Sequence, residues 1–174
     1  MNNTIAHRWQ NSEIGTIHVA AGISGLCAVD LLGSQKPPVN LQESIGSIPK
    51  ADEIADLGLR QILEYLQGKR RNFDLPIDWS AITTFQKRVL ELTSKIPFGE
   101  TRTYGQIAVS TGNANASRAV GAALGRNPMP IIIPCHRVVA ASGHLTGFSA
   151  ADGIRTKQWL LQLEGHKIVA QKLD

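Results

Sequence analysis

Cys135 and His136 stand side by side in PIIIPCHRVV, residues 130–139, at the end of an apolar run. A thiolate is a strong nucleophile and an imidazole can draw off a thiol proton near neutral pH, so the pair points to nucleophilic chemistry at sulfur. Adjacency stands in the way of that chemistry. Neighbouring side chains of a strand face opposite ways, so either the pair is accidental or the chain turns there. The second cysteine, Cys27 in GISGLCAVDLL, sits in an apolar run and reads as a small buried hydrophobe. Two distant cysteines make no C-x-x-C pair and five scattered histidines offer no zinc spacing, so no metal and no disulfide framework are expected. A reducing compartment argues against a bridge between Cys27 and Cys135.

The 174 residues, 43% of them hydrophobic, suffice for one good core or two small ones. No run is long and apolar enough to span a bilayer, and MNNTIAHRWQ lacks the apolar centre of a secretory signal. The chain is therefore placed in the cytoplasm, away from membranes. Charge is divided unevenly: residues 1–80 carry seven Lys/Arg against nine Asp/Glu, net −2, whereas residues 81–174 carry eleven against five, net +6. A polyanionic partner would belong to the C-terminal half, although a solvated surface explains charge alone equally well.

The elements that must hold the pair fall into two regions, 1–78 and 79–174. GTIHVAAG and GLCAVDLLG predict a β-hairpin, and PKADEIADLGLRQILEYLQG predicts a helix with Ile54, Leu57, Ile62 and Leu66 on one face and Gly68 as its stop. GKRRNFDLPIDWS reads as a linker or surface crossing. Beyond it, Thr83 and Gln86 have capping-box spacing before a helix with Phe85, Val89, Leu92 and Ile96 on its apolar face. Thr103 and Gln106 repeat the device for a short helix ending near Gly112. A second helix then starts in ASRAVGAALGRN with Asn115 as cap, giving helix, turn, helix. Its residues Ala116, Ser117, Ala119, Gly121, Ala122, Ala123 and Gly125 are small, which leaves one face nearly bare. Arg118, by contrast, lies in the first turn, where the helix dipole disfavours a cation, and hints at a partner outside the fold.

In NPMPIIIPCHRVVAASGHLTGFS, and in the preceding TYGQIA, SRAVG and GRNP, the chain resembles the O6-alkylguanine-DNA alkyltransferases, also called methylated-DNA-protein-cysteine methyltransferases. The resemblance is close over residues 80–168. It implies an α/β supporting domain, a small ribonuclease H-like sheet plus helix, followed by a mostly helical domain with a winged-helix-like helix-turn-helix. It further implies irreversible, single-turnover transfer of an alkyl group, methyl above all, from O6-alkylguanine in DNA to Cys135, with O4-alkylthymine as a second substrate. By the same matching, His136 polarises Cys135 through a water and Glu164 orients His136. Tyr104 serves the leaving guanine and Asn127 braces the turn that carries Cys135. Arg118 fills the stack left by the flipped nucleotide, while Ser117, Ala119, Gly121 and Ala122 approach the minor groove of double-stranded DNA. Pro130, Val138, Phe148 and Ser149 line the alkyl pocket. No cofactor is implied, and a monomer is expected.

The chain departs from the family pattern at Phe148, where a tyrosine is usual, and at Ser149-Ala150-Ala151, where glycine-rich sequence is usual. The phenyl ring keeps a flat apolar wall without the hydroxyl, and the alanines narrow the space for larger alkyl groups. Among alternatives, a damage sensor that binds without repair lacks the acceptor cysteine that is present here. An operator-reading regulator needs longer side chains than this helix offers. A cysteine hydrolase fits adjacent Cys and His poorly.

Overall fold

A computed structural model describes residues 5–33 and 48–174; the first four residues of MNNTIAHRWQ lie outside it. The chain divides into two compact units, Met1–Ala81 and Ile82–Asp174. No helix of the described residues is long and apolar enough to cross a membrane.

In the first unit β1 (Ala6–Ser12), β2 (Gly15–Gly22) and β3 (Gly25–Leu31) form an antiparallel sheet in that order. The predicted hairpin is β2–β3, closed by the pairing of Gly22 with Gly25. β1 is an addition, because AHRWQNS carries little alternation. The helix α1 (Pro49–Leu66) is the predicted one, with Gly68 at φ +71 just beyond it. Its buried stripe runs through Ala51, Ile54, Ala55, Gly58, Ile62 and Tyr65, while Leu57 is only half-buried. Gly58 lets the helix close on the sheet, since a Cβ there would sit 3.0 Å from Leu26 Cδ2 and 3.3 Å from Val19 Cγ1. The expected linker is partly fixed structure. Leu26 N donates to Pro76 O (2.8 Å) and Asp78 N donates to Leu26 O (2.9 Å), so this stretch runs beside β3.

The second unit holds α2 (Thr84–Ser94), α3 (Tyr104–Ser110), α4 (Ser117–Leu124) and α5 (Ile154–Leu163). The Thr83 side chain accepts from Gln86 N, but Gln86 Nε2 donates to Arg126 O (2.8 Å), so only half of the predicted capping box forms. Of the predicted apolar face only Val89 and Ile96 are buried; Phe85 is 42% exposed and Leu92 half-buried, and the buried face is Val89, Leu90 and Thr93 on α2 with Ile96 beyond it. The Thr103–Gln106 box is complete. Asn115 does not cap α4. A 3-10 turn at Ala114–Ala116 precedes that helix, and Asn113 accepts from Asn115 N to cap the turn instead. Two short strands, β4 (Arg102–Thr103) and β5 (Val138–Val139), pair in parallel and set the start of α3 beside the chain that leaves Cys135. The hairpin β6 (Ile168–Val169) and β7 (Lys172–Leu173) follows α5, and Leu173 and Ile168 pack with Ile154 on Val139, Leu145 and Leu161.

Candidate active site

The approach to Cys135 is held by an unusual backbone. Ile131 has φ +74, a left-handed conformation that costs a β-branched residue on the order of 1–3 kcal/mol, and its fully buried side chain fixes it there. Asn127 spans the bend: its Oδ1 accepts from Met129 N (3.0 Å) and its Nδ2 donates to Ile133 O (2.8 Å). The same Nδ2 donates to Cys135 Sγ at 3.2 Å. Cys135, His136 and Arg137 then form one 3-10 turn after Pro134. The chain does turn at the pair, which removes the objection that an extended backbone would raise.

His136 is fully buried, and its Nε2 lies 2.9 Å from Glu164 Oε1. Glu164, the C-cap of α5, also receives Arg137 Nε on Oε2 (2.9 Å) and Arg137 Nη2 on Oε1 (2.8 Å), while Arg137 Nη1 donates to Ile96 O (2.6 Å). One buried carboxylate thus serves an imidazole and a guanidinium at once. Burial lowers the His136 pKa, against the pull of Glu164, and burial raises that of the Cys135 thiol, against the hydrogen bond from Asn127. The resting pair is neutral thiol and neutral imidazole. A thiolate therefore forms only when its proton moves to an acceptor such as His136.

Cys135 is partly exposed and faces a cavity of about 20 Å³ lined by Leu124, Gly125, Asn127, Pro130, Phe148 and Ser149, among others. Such a volume holds about one methyl-sized group. Pro130, Phe148 and Ser149 line this cavity, with Ala150 beside them. Val138 does not line it: the residue is fully buried, and its carbonyl accepts from Lys157 Nζ. A larger cavity, about 660 Å³, lies between α2 and α3 along Leu92, Ile96, Ile107 and Val109, and none of the reactive groups reaches it.

Tyr104, the first residue of α3, points its hydroxyl at the loop after Leu145 and donates to Thr146 O at 3.0 Å. Burial raises its pKa, so the phenol keeps its proton. On α4 the small face is open. Arg118, Ala119 and Ala122 are exposed and Ser117 and Gly121 half-buried, while Val120, Ala123 and Leu124 turn inward. Arg118 makes no hydrogen bond or ion pair among the described residues.

Two residues were missed in the sequence. Arg137 is visible only as part of PCHRV. Lys157 is fully buried, with Nζ donating to Val138 O (2.6 Å) and Thr146 O (2.7 Å), and desolvation lowers its pKa to about 8. The available signal is its position on α5: Lys157, Leu160, Leu161 and Glu164 follow the i, i+3, i+4, i+7 spacing of a buried stripe.

Fold and site together define a two-unit protein in which a partly exposed cysteine thiol is held by an asparagine and followed by a buried histidine–carboxylate pair. Residues 84–166 match the family model described as 6-O-methylguanine DNA methyltransferase, DNA binding domain, and residues 5–79 match 6-O-methylguanine DNA methyltransferase, ribonuclease-like domain. The chain is 43% identical over 154 residues to the methylated-DNA--protein-cysteine methyltransferase of Methanosarcina acetivorans, covering 88% of this chain and 94% of that one. It is 37% identical over 162 residues to the Mycobacterium leprae protein of the same name, covering 93% of each. The crystal structure of Mycobacterium tuberculosis O6-methylguanine methyltransferase superposes with a TM-score of 0.76 at 39% identity, covering 92% of both chains. The structure of Mycobacterium tuberculosis OGT in complex with DNA gives 0.75 at 39% identity, covering 91% of both. The chain belongs to the 6-O-methylguanine DNA methyltransferase family.

Proposed function

We propose that the protein repairs DNA by moving an alkyl group, methyl above all, from O6 of guanine to Cys135 in a single irreversible turnover. The carrying observation is the partly exposed Cys135 thiol, fixed by Asn127 against a methyl-sized cavity and followed directly by the His136–Glu164 pair. Sγ attacks the alkyl carbon, the S–C bond forms as the C–O6 bond breaks, and the electron pair passes into guanine. The thiol gives up one proton, by way of His136, and guanine takes up one, so the step balances. Tyr104 supplies the hydrogen bond to the departing base. No group present reverses a thioether, which makes the protein a stoichiometric reagent.

The base must leave the duplex to reach sulfur, at a cost of about a few kcal/mol. Arg118 fills the gap, and α4 lies in the minor groove, where Ser117, Ala119, Gly121 and Ala122 leave room for the backbone to approach. Binding of this kind reads sequence weakly and weakens with salt. Pro130, Phe148, Ser149 and Ala150 favour methyl over bulky groups. All these residues come from one unit of one chain, so a monomer suffices, and both cysteines remain free thiols, as suits the cytoplasm. The test is mass analysis after mixing with a duplex containing O6-methylguanine. Tight binding without a gain in mass would leave the damage-sensor reading in its place.

A further inference from the structure

The last carbonyls of a helix lack partners within it, and those of α4 draw donors from outside. Gln86, on α2, donates through Nε2 to Arg126 O at 2.8 Å and lies 3.5 Å from Ala123 O. Ser149, on the wall of the alkyl cavity, reaches Gly125 O through Oγ at 3.4 Å. The Arg126 carbonyl belongs to the same peptide unit as Asn127 N, which donates to Leu124 O (3.0 Å). That peptide plane is therefore held on its oxygen by Gln86 and on its nitrogen by Leu124. Directly beyond it the Asn127 side chain donates to Ile133 O (2.8 Å) and to Cys135 Sγ (3.2 Å). Gln86 thus acts one peptide unit away from the residue that holds the reactive sulfur. Gly125 has no side chain to fix this stretch and Arg126 is exposed, so the hold comes from other elements.

Local sequence offers Gln86 a different use. With Thr83 it has capping-box spacing, and at Thr103 the same pair of residue types closes the box, Gln106 Oε1 accepting from Thr103 N at 2.7 Å. Glutamate would serve a box equally and suit the first turn of a helix better, but only the amide can donate to a carbonyl. We propose that Gln86 is a positioning residue for the thiol, holding the end of α4 so that Asn127 keeps its hydrogen bond to Cys135 Sγ. The inference rests on the reading of Cys135 as the alkyl acceptor. The bond to Arg126 O is exposed, so water can satisfy that carbonyl when the amide is gone; what is lost is the tie between α2 and the turn. Burial raises the Cys135 pKa and the Asn127 hydrogen bond opposes it, so a looser Asn127 leaves less thiolate at a given pH.

Two substitutions in the full chain test this role. Q86M keeps the length without a donor or a charge, and Q86E removes the donor while restoring the box with Thr83. Both should slow single-turnover transfer about three- to tenfold, the kinetic equivalent of one hydrogen bond. The factor should be the same for an O6-methylguanine duplex and for the free alkylated base, because the effect lies at the sulfur. In urea, Q86E should be at least as stable as the unsubstituted protein, so its slower transfer is not a weakened fold. For Q86M the midpoint of the rate–pH profile on the free base should move to higher pH, since burial and the Lys157 charge still act on the thiol while the Asn127 bond is loosened. Rates within about 1.5-fold of the unsubstituted protein, or an unmoved midpoint, overturn the proposal. A loss of stability in Q86E that matches its loss of rate also overturns it and leaves Gln86 a structural cap. A loss confined to the duplex overturns it too and places Gln86 in DNA binding. No transfer by the unsubstituted protein removes the proposed function instead.

Discussion

Substituting Glu164 by glutamine should separate what this carboxylate does for stability from what it does for the chemistry. Its oxygens receive Arg137 Nε and Nη2 at 2.8–3.1 Å and meet His136 Nε2 at 2.9 Å, and both partner side chains are buried. E164Q keeps the shape but leaves the guanidinium without a counter-charge. Breaking a buried pair from one side costs about 3–5 kcal/mol. In urea that loss lowers the unfolding midpoint by about 2 M. Transfer should also collapse, because the imidazole loses the carboxylate that orients it. Adding R137M removes the stranded charge, and the double variant E164Q/R137M should recover most of the stability, since replacing a whole buried pair by an apolar side chain is often neutral. Transfer should not recover. Urea unfolding and single-turnover kinetics on the same samples make the test. A loss below about 1 kcal/mol in E164Q would refute the energetic reasoning. Restored transfer in the double variant would show that His136 works without Glu164.

G147A places a side chain at φ +66 and 2.6 Å from Tyr104 Oη, so it should lose about 1–3 kcal/mol in urea unfolding and transfer more slowly; unchanged values would mean that the loop yields freely. R118A should slow repair of duplex DNA about tenfold or more while leaving reaction with the free alkylated base unchanged, and equal losses on both substrates would remove its part in base extrusion. Burial lowers the His136 pKa from 6.5, so the unfolded chain binds a proton that the folded site refuses. Stability is then complete above the unfolded pKa and lost as pH falls below it, with a slope of up to about 1.4 kcal/mol per pH unit for this group. Unfolding between about pH 7 and about pH 5 should be steeper for the unsubstituted protein than for H136Q, and parallel curves would assign the proton elsewhere.

Local signals were legible and long-range ones were not. The Thr103–Gln106 box, the β2–β3 hairpin and the stop at Gly68 are written in neighbouring residues, and all three form. That the chain turns at Cys135 follows from asking how adjacent side chains could cooperate. The partnership of Glu164 with His136 could be reached only through family resemblance, because nothing in either segment points to the other. The β4–β5 pairing is two residues long and has no periodicity to detect. At Thr83 a competing acceptor, Arg126 O, draws Gln86 out of its box, and that acceptor lies far along the chain. Lys157 was overlooked because lysines belong to surfaces by default. Thr146 meets Tyr104 and Lys157 through a backbone oxygen, for which a sequence carries no sign.

The central claim is that Cys135 is the alkyl acceptor. Intact-protein mass spectrometry with peptide mapping, after incubation with a stoichiometric O6-methylguanine duplex, tests it most directly. The account predicts a gain of one methyl group per molecule, located on Cys135, with no turnover beyond one equivalent, and C135A should bind the duplex without gaining mass. A methyl group on another residue, or unchanged mass in the presence of tight binding, would contradict it.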